Sequence, residues 1–206
     1  MPEENAWLRI IRDDPGHSAW YIERFRSMAA AGDDLAGEAR LVDTMVPRQA
    51  RILDAGCGPG RVGGFLAEEG HDVVGVDIDP ELIAAAEQSH PGPQWLVDDL
   101  ATLDLPARGL PAGFDAIVCA GNVMTFLAPR SRGEVLSRLR AHLADAGRVA
   151  VGFGTDRGYP VDEFLGHVDD AGLTPDLLLS TWDLRPYHDG ADFLVAVLSP
   201  TDQPMS

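Results

Sequence analysis

The sequence predicts an α/β fold: a doubly wound, mostly parallel seven-stranded sheet, entered through helices and finished by an antiparallel hairpin. Three observations predict it. Apolar strands alternate with amphipathic helices over residues 51–153, a glycine-rich turn joins the first strand to its helix, and two late apolar runs stand too close together for a helical crossover.

The elements follow in order. Over residues 7–46 the pattern is helical, with Leu35, Ala39, Val42 and Val46 recurring on one stripe and Asp33 and Asp34 offered as N-caps. Upstream, Ser18 is placed to cap a helix that runs through Tyr21, Phe25 and Met28 and ends near Gly32. The alternation then reads strand 51–55, helix 60–69, strand 72–77, helix 80–89 and strand 94–97, with Asp79-Pro80 as N-cap and first helical residue of the second helix. Residues 103–113, containing proline and glycine, form a surface connection to a fourth strand at 114–120. A helix over 131–144 with Val135, Leu136, Leu139 and Leu143 on one face leads through a turn at Gly147 into a fifth strand at 148–153. Helix 161–171 is closed by Gly172, and strands 177–184 and 192–199 pair as a hairpin, which makes the sheet mixed. One domain is expected, with a helical segment at 1–46, an α/β core at 47–199 and a tail at 200–206.

Composition excludes several classes. Hydrophobic residues at 45% and charged residues at 24% match ordinary globular usage, which removes disordered and fibrous readings. No apolar run approaches the ~20 residues that a bilayer requires. The first twelve residues lack the continuous apolar stretch of a secretory signal, so a cytoplasmic location is expected. Cys57 and Cys119 form neither a disulfide framework nor a zinc-type pairing, and no metal is expected. A net charge of −17 disfavours nucleic acid and anionic membranes as partners and suits a small neutral or cationic molecule. All 16 basic residues are arginine. Schiff-base, pyridoxal and P-loop chemistry each need a central lysine and drop out.

The first strand runs into Asp54-Ala55-Gly56-Cys57-Gly58-Pro59-Gly60, a D-x-G-x-G-x-G loop at a helix N-terminus, where glycines let a ligand approach main-chain N–H groups. Followed by Val76-Asp77-Ile78-Asp79-Pro80, this run resembles the class I S-adenosylmethionine-dependent methyltransferases, most sharply over residues 52–79 and by element order over 51–198. The resemblance implies the Rossmann-like methyltransferase fold, S-adenosylmethionine as cofactor and S-adenosylhomocysteine as product. Gly58, Gly60 and Gly63 also satisfy G-x-G-x-x-G, and Asp77 lies near the ~20-residue spacing of a dinucleotide site. Charge separates the two. A carboxylate at Asp54 repels a pyrophosphate and attracts an ammonium, a unit charge at ~4 Å being worth ~4 kcal/mol at intermediate dielectric.

The expected cofactor contacts are Asp54, Gly56, Cys57, Gly58 and Gly60 in the loop, then Asp77 and Ile78, where the Asp77 carboxylate suits two ribose hydroxyls. The resemblance also implies an acid after the third strand facing the adenine amino group. Asp99 with Leu100 is preferred over Asp98, and Gly121-Asn122 falls beside the methionine portion. The Asn122 amide is positioned either to accept from the ammonium and steer the acceptor or to cap the next segment. This turn lacks the motif of the family's nucleic-acid amino-methylating members, which argues against DNA base methylation.

Ligands of open parallel sheets bind outside the carboxyl ends of the strands, which sorts the remaining residues. Arg157, Tyr159, Arg185, Tyr187 and His188 fall on that edge, whereas His71 and His90 precede strands and His142 and His167 lie in helices as packing or surface residues. The family covers its cofactor with N-terminal helices, so residues 1–46 are expected to form a lid. Its polar candidates are His17, Tyr21, Arg24 and Arg40, while Trp7 and Trp20 read as packing residues. Tyr21, Arg24, Tyr159, Arg185 and Tyr187 are the candidate acceptor contacts, and His188, titrating near neutrality, is the candidate general base ahead of His17. Methyl transfer is an in-line displacement on an activated carbon, so positioning at ~3 to 3.5 Å supplies much of the catalysis. A small-molecule methyltransferase is the preferred function, with a protein methyltransferase or a non-catalytic cofactor-binding regulatory module as alternatives.

Overall fold

The computed structural model describes residues 4–201. Three helices, α1 (Ala6–Asp13), α2 (His17–Ala30) and α3 (Gly37–Met45), precede β1 (Arg51–Ala55), α4 (Arg61–Glu68), β2 (Asp72–Asp77), α5 (Pro80–Ser89) and β3 (Gln94–Val97). There follow β4 (Phe114–Cys119), the single turn α6 (Val123–Phe126), α7 (Arg132–His142), β5 (Leu143–Gly154), α8 (Val161–Asp170), β6 (Leu173–Leu179) and β7 (Phe193–Pro200). The seven strands form one sheet in the order β3-β2-β1-β4-β5-β7-β6. Strand order therefore reverses between β1 and β4, the place where ligands of such sheets gather.

Period-two alternation splits the strand residues between two cores. Leu53, Val76, Ile117 and Val151 face one side, under Leu136 and Leu139 of α7 and Phe164 of α8. Ile52, Val73, Ala116, Val118 and Ala150 face the other, under Ala39 and Val42 of α3 and Val62 and Leu66 of α4. Both faces of the central strands are buried, so these strands read as continuous apolar runs.

The mixed sheet is as expected, but its ends differ in detail. β7 is antiparallel to β5 and to β6 and lies between them. β6 is thus parallel to β5, and the loop after it leaves from the carboxyl edge. β6 starts at Leu173, four residues before the expected 177, because Gly172 closes α8 at φ +70° and the chain enters the sheet at once. Pro175 and Asp176 mask this in the sequence. An edge strand tolerates proline, and the register shifts between Pro175 and Leu177.

Other local expectations are corrected by the side chains. Gly147 lies inside β5 rather than in a turn, beside the register shift between β4 and β5, and glycine is required there because a Cβ would stand 2.6 Å from the Phe114 carbonyl. Ser18 does not cap α2. Gly16 holds that position, and the Ser18 hydroxyl donates to Asp79. α3 starts after Ala36 without a side-chain cap, while Asp34 accepts from the Ala36 N–H and pairs with Arg40. The 103–113 connection is not wholly superficial, since Leu103 and Leu105 are fully buried. Asp79 does cap α5, accepting from the Glu81 N–H at 2.9 Å with Pro80 in the first turn. His71 and His142 are packing residues: the first accepts from Ala50 N–H and meets Asp43, the second accepts from Leu105 N–H.

The sheet surface under α4 and α5 is shaped around Trp95, whose indole N–H donates to the His90 carbonyl at 2.9 Å. A Cβ on Gly75 of β2 would approach that ring to 2.2 Å. Gly75→Ala is expected to cost about 1 to 3 kcal/mol in urea unfolding through overpacking. Gly92→Ala, whose nearest neighbour would be 3.9 Å away, is expected to stay within about 0.5 kcal/mol of the parent.

Candidate functional site

The glycine turn after β1 adopts the left-handed backbone the sequence calls for, with φ of +82° at Gly56, +54° at Gly58 and +85° at Gly60. Gly56 and Cys57 both donate N–H to the Val76 carbonyl, at 2.8 and 3.0 Å, which ties the bend to the end of β2. Two buried carboxylates flank it. Asp54 is 2% exposed and its Oδ2 accepts from Gly63 N–H of α4 at 2.8 Å. Asp77 is 9% exposed, its Oδ2 accepting from Gly58 N–H at 2.9 Å and its Oδ1 from Asp79 N–H at 3.0 Å.

Burial pushes the Asp54 carboxyl up to about 7, against the lowering effect of the Gly63 N–H. It pushes Asp77 up to about 6, against the N–H groups of Asp79 and Gly58. The Cys57 thiol is raised further by the same desolvation and by the two acids. A buried acid whose partners are chiefly neutral N–H groups is short of positive charge.

These groups open into a pocket at the carboxyl end of β1, β2, β3 and β4. Asp54, Gly56, Cys57, Gly58, Asp77 and Ile78 line its floor. Asp98, Asp99 and Leu100 line one end, and Gly121, Val123 and Phe126 another. Its roof comes from α1 and α2, through Trp7, Tyr21 and Phe25. Trp7 packs edge-on against Tyr21 at 5.2 Å and Phe126 at 5.7 Å, so the roof is a connected aromatic layer. Burial raises the Tyr21 hydroxyl above its ordinary value, which keeps it unionised.

Most predicted loop positions therefore meet at one pocket, and several do not. Gly60 is not on its wall. It is the left-handed cap of α4, where a Cβ would come 2.9 Å from Ala86 and 3.0 Å from Trp95, so it serves helix packing. Asn122 is also off the wall, and its side chain does not cap the next segment. Its Oδ1 accepts from Gly154 N–H at 2.8 Å, pinning the turn after β4 to the end of β5, while α6 has no side-chain cap. The Asp98 carboxylate pairs with Arg108 at 2.9 Å, and Asp99, which accepts from Ala101 N–H, stands beside Leu100.

The acceptor candidates separate further. Tyr21 lines the pocket, but Tyr159 is fully buried in the core, stacked on Phe153 with its hydroxyl 2.7 Å from His167 Nδ1. Arg24 lies over Trp20 and Phe25 outside the pocket wall. Arg185 pairs with Asp183 on the exposed loop after β6, and Tyr187 packs against the main core. His188 is exposed on that loop, its ring nitrogen 3.1 Å from the Asp189 carbonyl, and it does not reach the pocket. His17 packs against Trp7 and Trp20.

Arg61 is a pocket residue that sequence reading missed. It forms paired bonds to Glu38 of α3, at 2.8 and 2.6 Å, and donates to the Leu35 carbonyl. Burial raises the Glu38 carboxyl, but the hydrogen bonds and charge of Arg61 outweigh it and hold the acid below its ordinary value. The only available signal was the position of Arg61, directly after the last loop glycine.

A family model for a methyltransferase domain matches residues 52–147. The crystal structure of a TehB-like S-adenosylmethionine-dependent methyltransferase from Corynebacterium glutamicum is similar with a TM-score of 0.86 at 46% identity, covering 91% of this chain and 100% of that one. Magnesium-protoporphyrin O-methyltransferase of Rhodobacter capsulatus is 33% identical over 149 residues, 68% of this chain and 60% of its own length. The putative methyltransferase YqeM of Bacillus subtilis is 25% identical over 126 residues, 57% of this chain and 49% of its own. The chain spans about half the length of the curated relatives it matches. The protein belongs to the S-adenosylmethionine-dependent methyltransferases. S-adenosylmethionine is the cofactor that this membership assigns to it.

The raised carboxyls predict a stability profile. In the folded state Asp54 and Asp77 hold protons to about 7 and about 6, whereas unfolded aspartate loses its proton near ~3.9. The folded state binds more protons between these values, so the contribution is fully present below ~4 and is lost as pH rises through 6 to 7. Ligand-free protein is expected to lose part of its thermal stability between pH 5 and pH 8, read by calorimetry, and Asp54→Asn should flatten that fall.

Proposed function

We propose that this chain transfers a methyl group from S-adenosylmethionine to a small neutral or cationic acceptor held beneath the aromatic roof. The observation that carries the reading is the pair of buried carboxylates at the glycine bend. They offer negative charge where S-adenosylmethionine brings an ammonium and a sulfonium, and where a dinucleotide would bring a pyrophosphate. In this reading Asp54, Gly56, Cys57, Gly58 and Gly121 receive the methionine portion. Asp77 and Ile78 receive the ribose, and Asp99 with Leu100 the adenine. Each oxygen of Asp77 already accepts one N–H and keeps a second lone pair for a ribose hydroxyl.

The aromatic layer of Trp7, Tyr21 and Phe126 then shields the methyl group from water and packs against the acceptor, and Tyr21 is the acceptor contact we retain from the sequence. Catalysis rests on holding nucleophile and methyl in line, not on His188, whose ring lies on a separate exposed loop. A small-molecule acceptor agrees with one of the relatives, the magnesium-protoporphyrin O-methyltransferase. No helix among the described residues is long and apolar enough to cross a membrane.

Titration calorimetry tests the cofactor reading. S-adenosylmethionine and S-adenosylhomocysteine are expected to bind and NAD is not; binding of NAD alone would overturn it. Asp77→Ala should weaken the adenosyl ligand by about 1.5 to 3 kcal/mol through lost charged hydrogen bonds, and an affinity equal to the parent's would place the ribose elsewhere. Because a cation favours the ionised acids, affinity should rise with pH from 5.5 to 8, with protons released on binding. Incubation with methyl-labelled cofactor and cell metabolites or cell proteins reads the acceptor class. Label in protein favours the protein methyltransferase, and binding with no transfer favours a regulatory module.

A further inference from the structure

Helices α1 and α2 carry the pocket roof, yet they are thinly attached to the rest of the molecule. Across the two helices only Trp7, Ser18 and Ile22 are buried. Ile22 belongs to a small apolar cluster with Trp7, Leu82 and Ala85, whose last two members come from α5. Trp7 also packs on Phe126 and Phe25 lies beneath Arg61, while the polar attachment converges on one atom. The Trp7 indole N–H donates to Asp79 Oδ2 at 2.9 Å, and the Ser18 hydroxyl donates to the same oxygen at 2.5 Å. Two of the three buried residues of the roof thus end on a single carboxylate oxygen, and that carboxylate is 2% exposed.

Asp79 is joined to the floor as well. Its Oδ1 accepts from Glu81 N–H, the cap of α5, and its own N–H donates to Asp77 Oδ1 at 3.0 Å. Asp77 in turn accepts from Gly58 N–H through Oδ2. A continuous chain of hydrogen bonds therefore runs from the roof through Asp79 to Asp77 and into the glycine bend. A helix cap alone needs only Oδ1 and the Glu81 N–H. The second oxygen, with donors 72 and 61 residues away in sequence, is left for another task.

We propose that Asp79 is a positioning residue that latches the α1–α2 lid over the cofactor, coupling lid closure to the state of Asp77 and setting how fast the spent cofactor leaves. The coupling to release rests on the cofactor reading above; the latch itself does not. Trp7, Tyr21 and Phe25 line the same pocket as the floor acids, so lid motion widens the path by which a nucleoside bound there leaves. Lid motion must break both bonds to Oδ2, because both donors sit on the lid. When Asp77 engages a ribose, its Oδ1 still holds the Asp79 N–H and keeps the latch in register.

The test combines ligand-free hydrogen exchange with stopped-flow release of S-adenosylhomocysteine, on the parent, Ser18→Ala and Asp79→Ala. Ser18 lies outside the pocket wall, and its loss removes one latch bond while leaving the α5 cap intact. Ser18→Ala is expected to speed exchange in α1 and α2 with α5 unchanged, and to release S-adenosylhomocysteine about tenfold faster or more, the scale of one lost hydrogen bond to a charged group. Asp79→Ala should add faster exchange in α5 and release still faster. Faster exchange confined to α5 in Asp79→Ala, with Ser18→Ala matching the parent in exchange and release, would reduce Asp79 to a helix cap and overturn the latch. Failure of the parent to bind S-adenosylhomocysteine would remove the cofactor reading, while the ligand-free exchange still decides whether Asp79 holds the lid. Should Asp79→Ala fail to fold, Ser18→Ala alone decides.

Discussion

The site depends on two carboxylates held out of water beside a glycine bend. Asp54 and Asp77 leave the ends of adjacent strands, and the parallel pairing of β1 with β2 fixes their separation. Neither is neutralised by an arginine in direct contact; backbone N–H groups of Gly63, Gly58 and Asp79 are their hydrogen-bond partners. Such partners stabilise an anion only in part, which is why desolvation dominates and both acids hold their protons unusually well. A stability deficit of this kind is a familiar property of sites built to receive charge: the protein carries an unfavourable arrangement that a cationic ligand relieves. The nearest arginine in the pocket wall, Arg61, is kept from collapsing onto the acids by its paired bonds to Glu38.

Legibility in the sequence followed the range of the interactions. The strands β1 to β4, their helices and the bend were readable because local rules govern them: apolar runs, a proline after an aspartate cap, glycines where the backbone turns left-handed. The acids at strand ends were readable for the same reason, since the carboxyl edge of a parallel sheet is a topological consequence of the alternation. What failed were assignments that needed tertiary information. Tyr159 and His188 both lie after strands on that edge, yet one turns inward to meet His167 and the other stays on an outer loop. Nothing in spacing separates those fates.

The same distinction explains Ser18, Asn122 and Gly60. Each has a role that local pattern offers first: a cap, a turn amide, a glycine of the cofactor loop. In each the structure has a long-range contact instead, to Asp79, to Gly154 and to Trp95 with Ala86. Arg61 and Trp7 joined the pocket through partners on α3 and α5 that no local pattern connects to them. The sheet end was misjudged for a different reason, because Pro175 on an edge strand mimics a turn.

The placement of β7 between β5 and β6 bears on how the chain is assembled during synthesis. β6 precedes β7 in the chain but pairs within the sheet only with it, so every residue through Leu179 can emerge while that half of the sheet stays open. Until Phe193–Pro200 arrives, the flank of β5 from Val149 to Gly154 is bare and apolar, and the nascent protein presents an unpaired edge to its surroundings. Completion then comes as a single insertion that satisfies both neighbours at once, which makes this strand the keystone of the sheet.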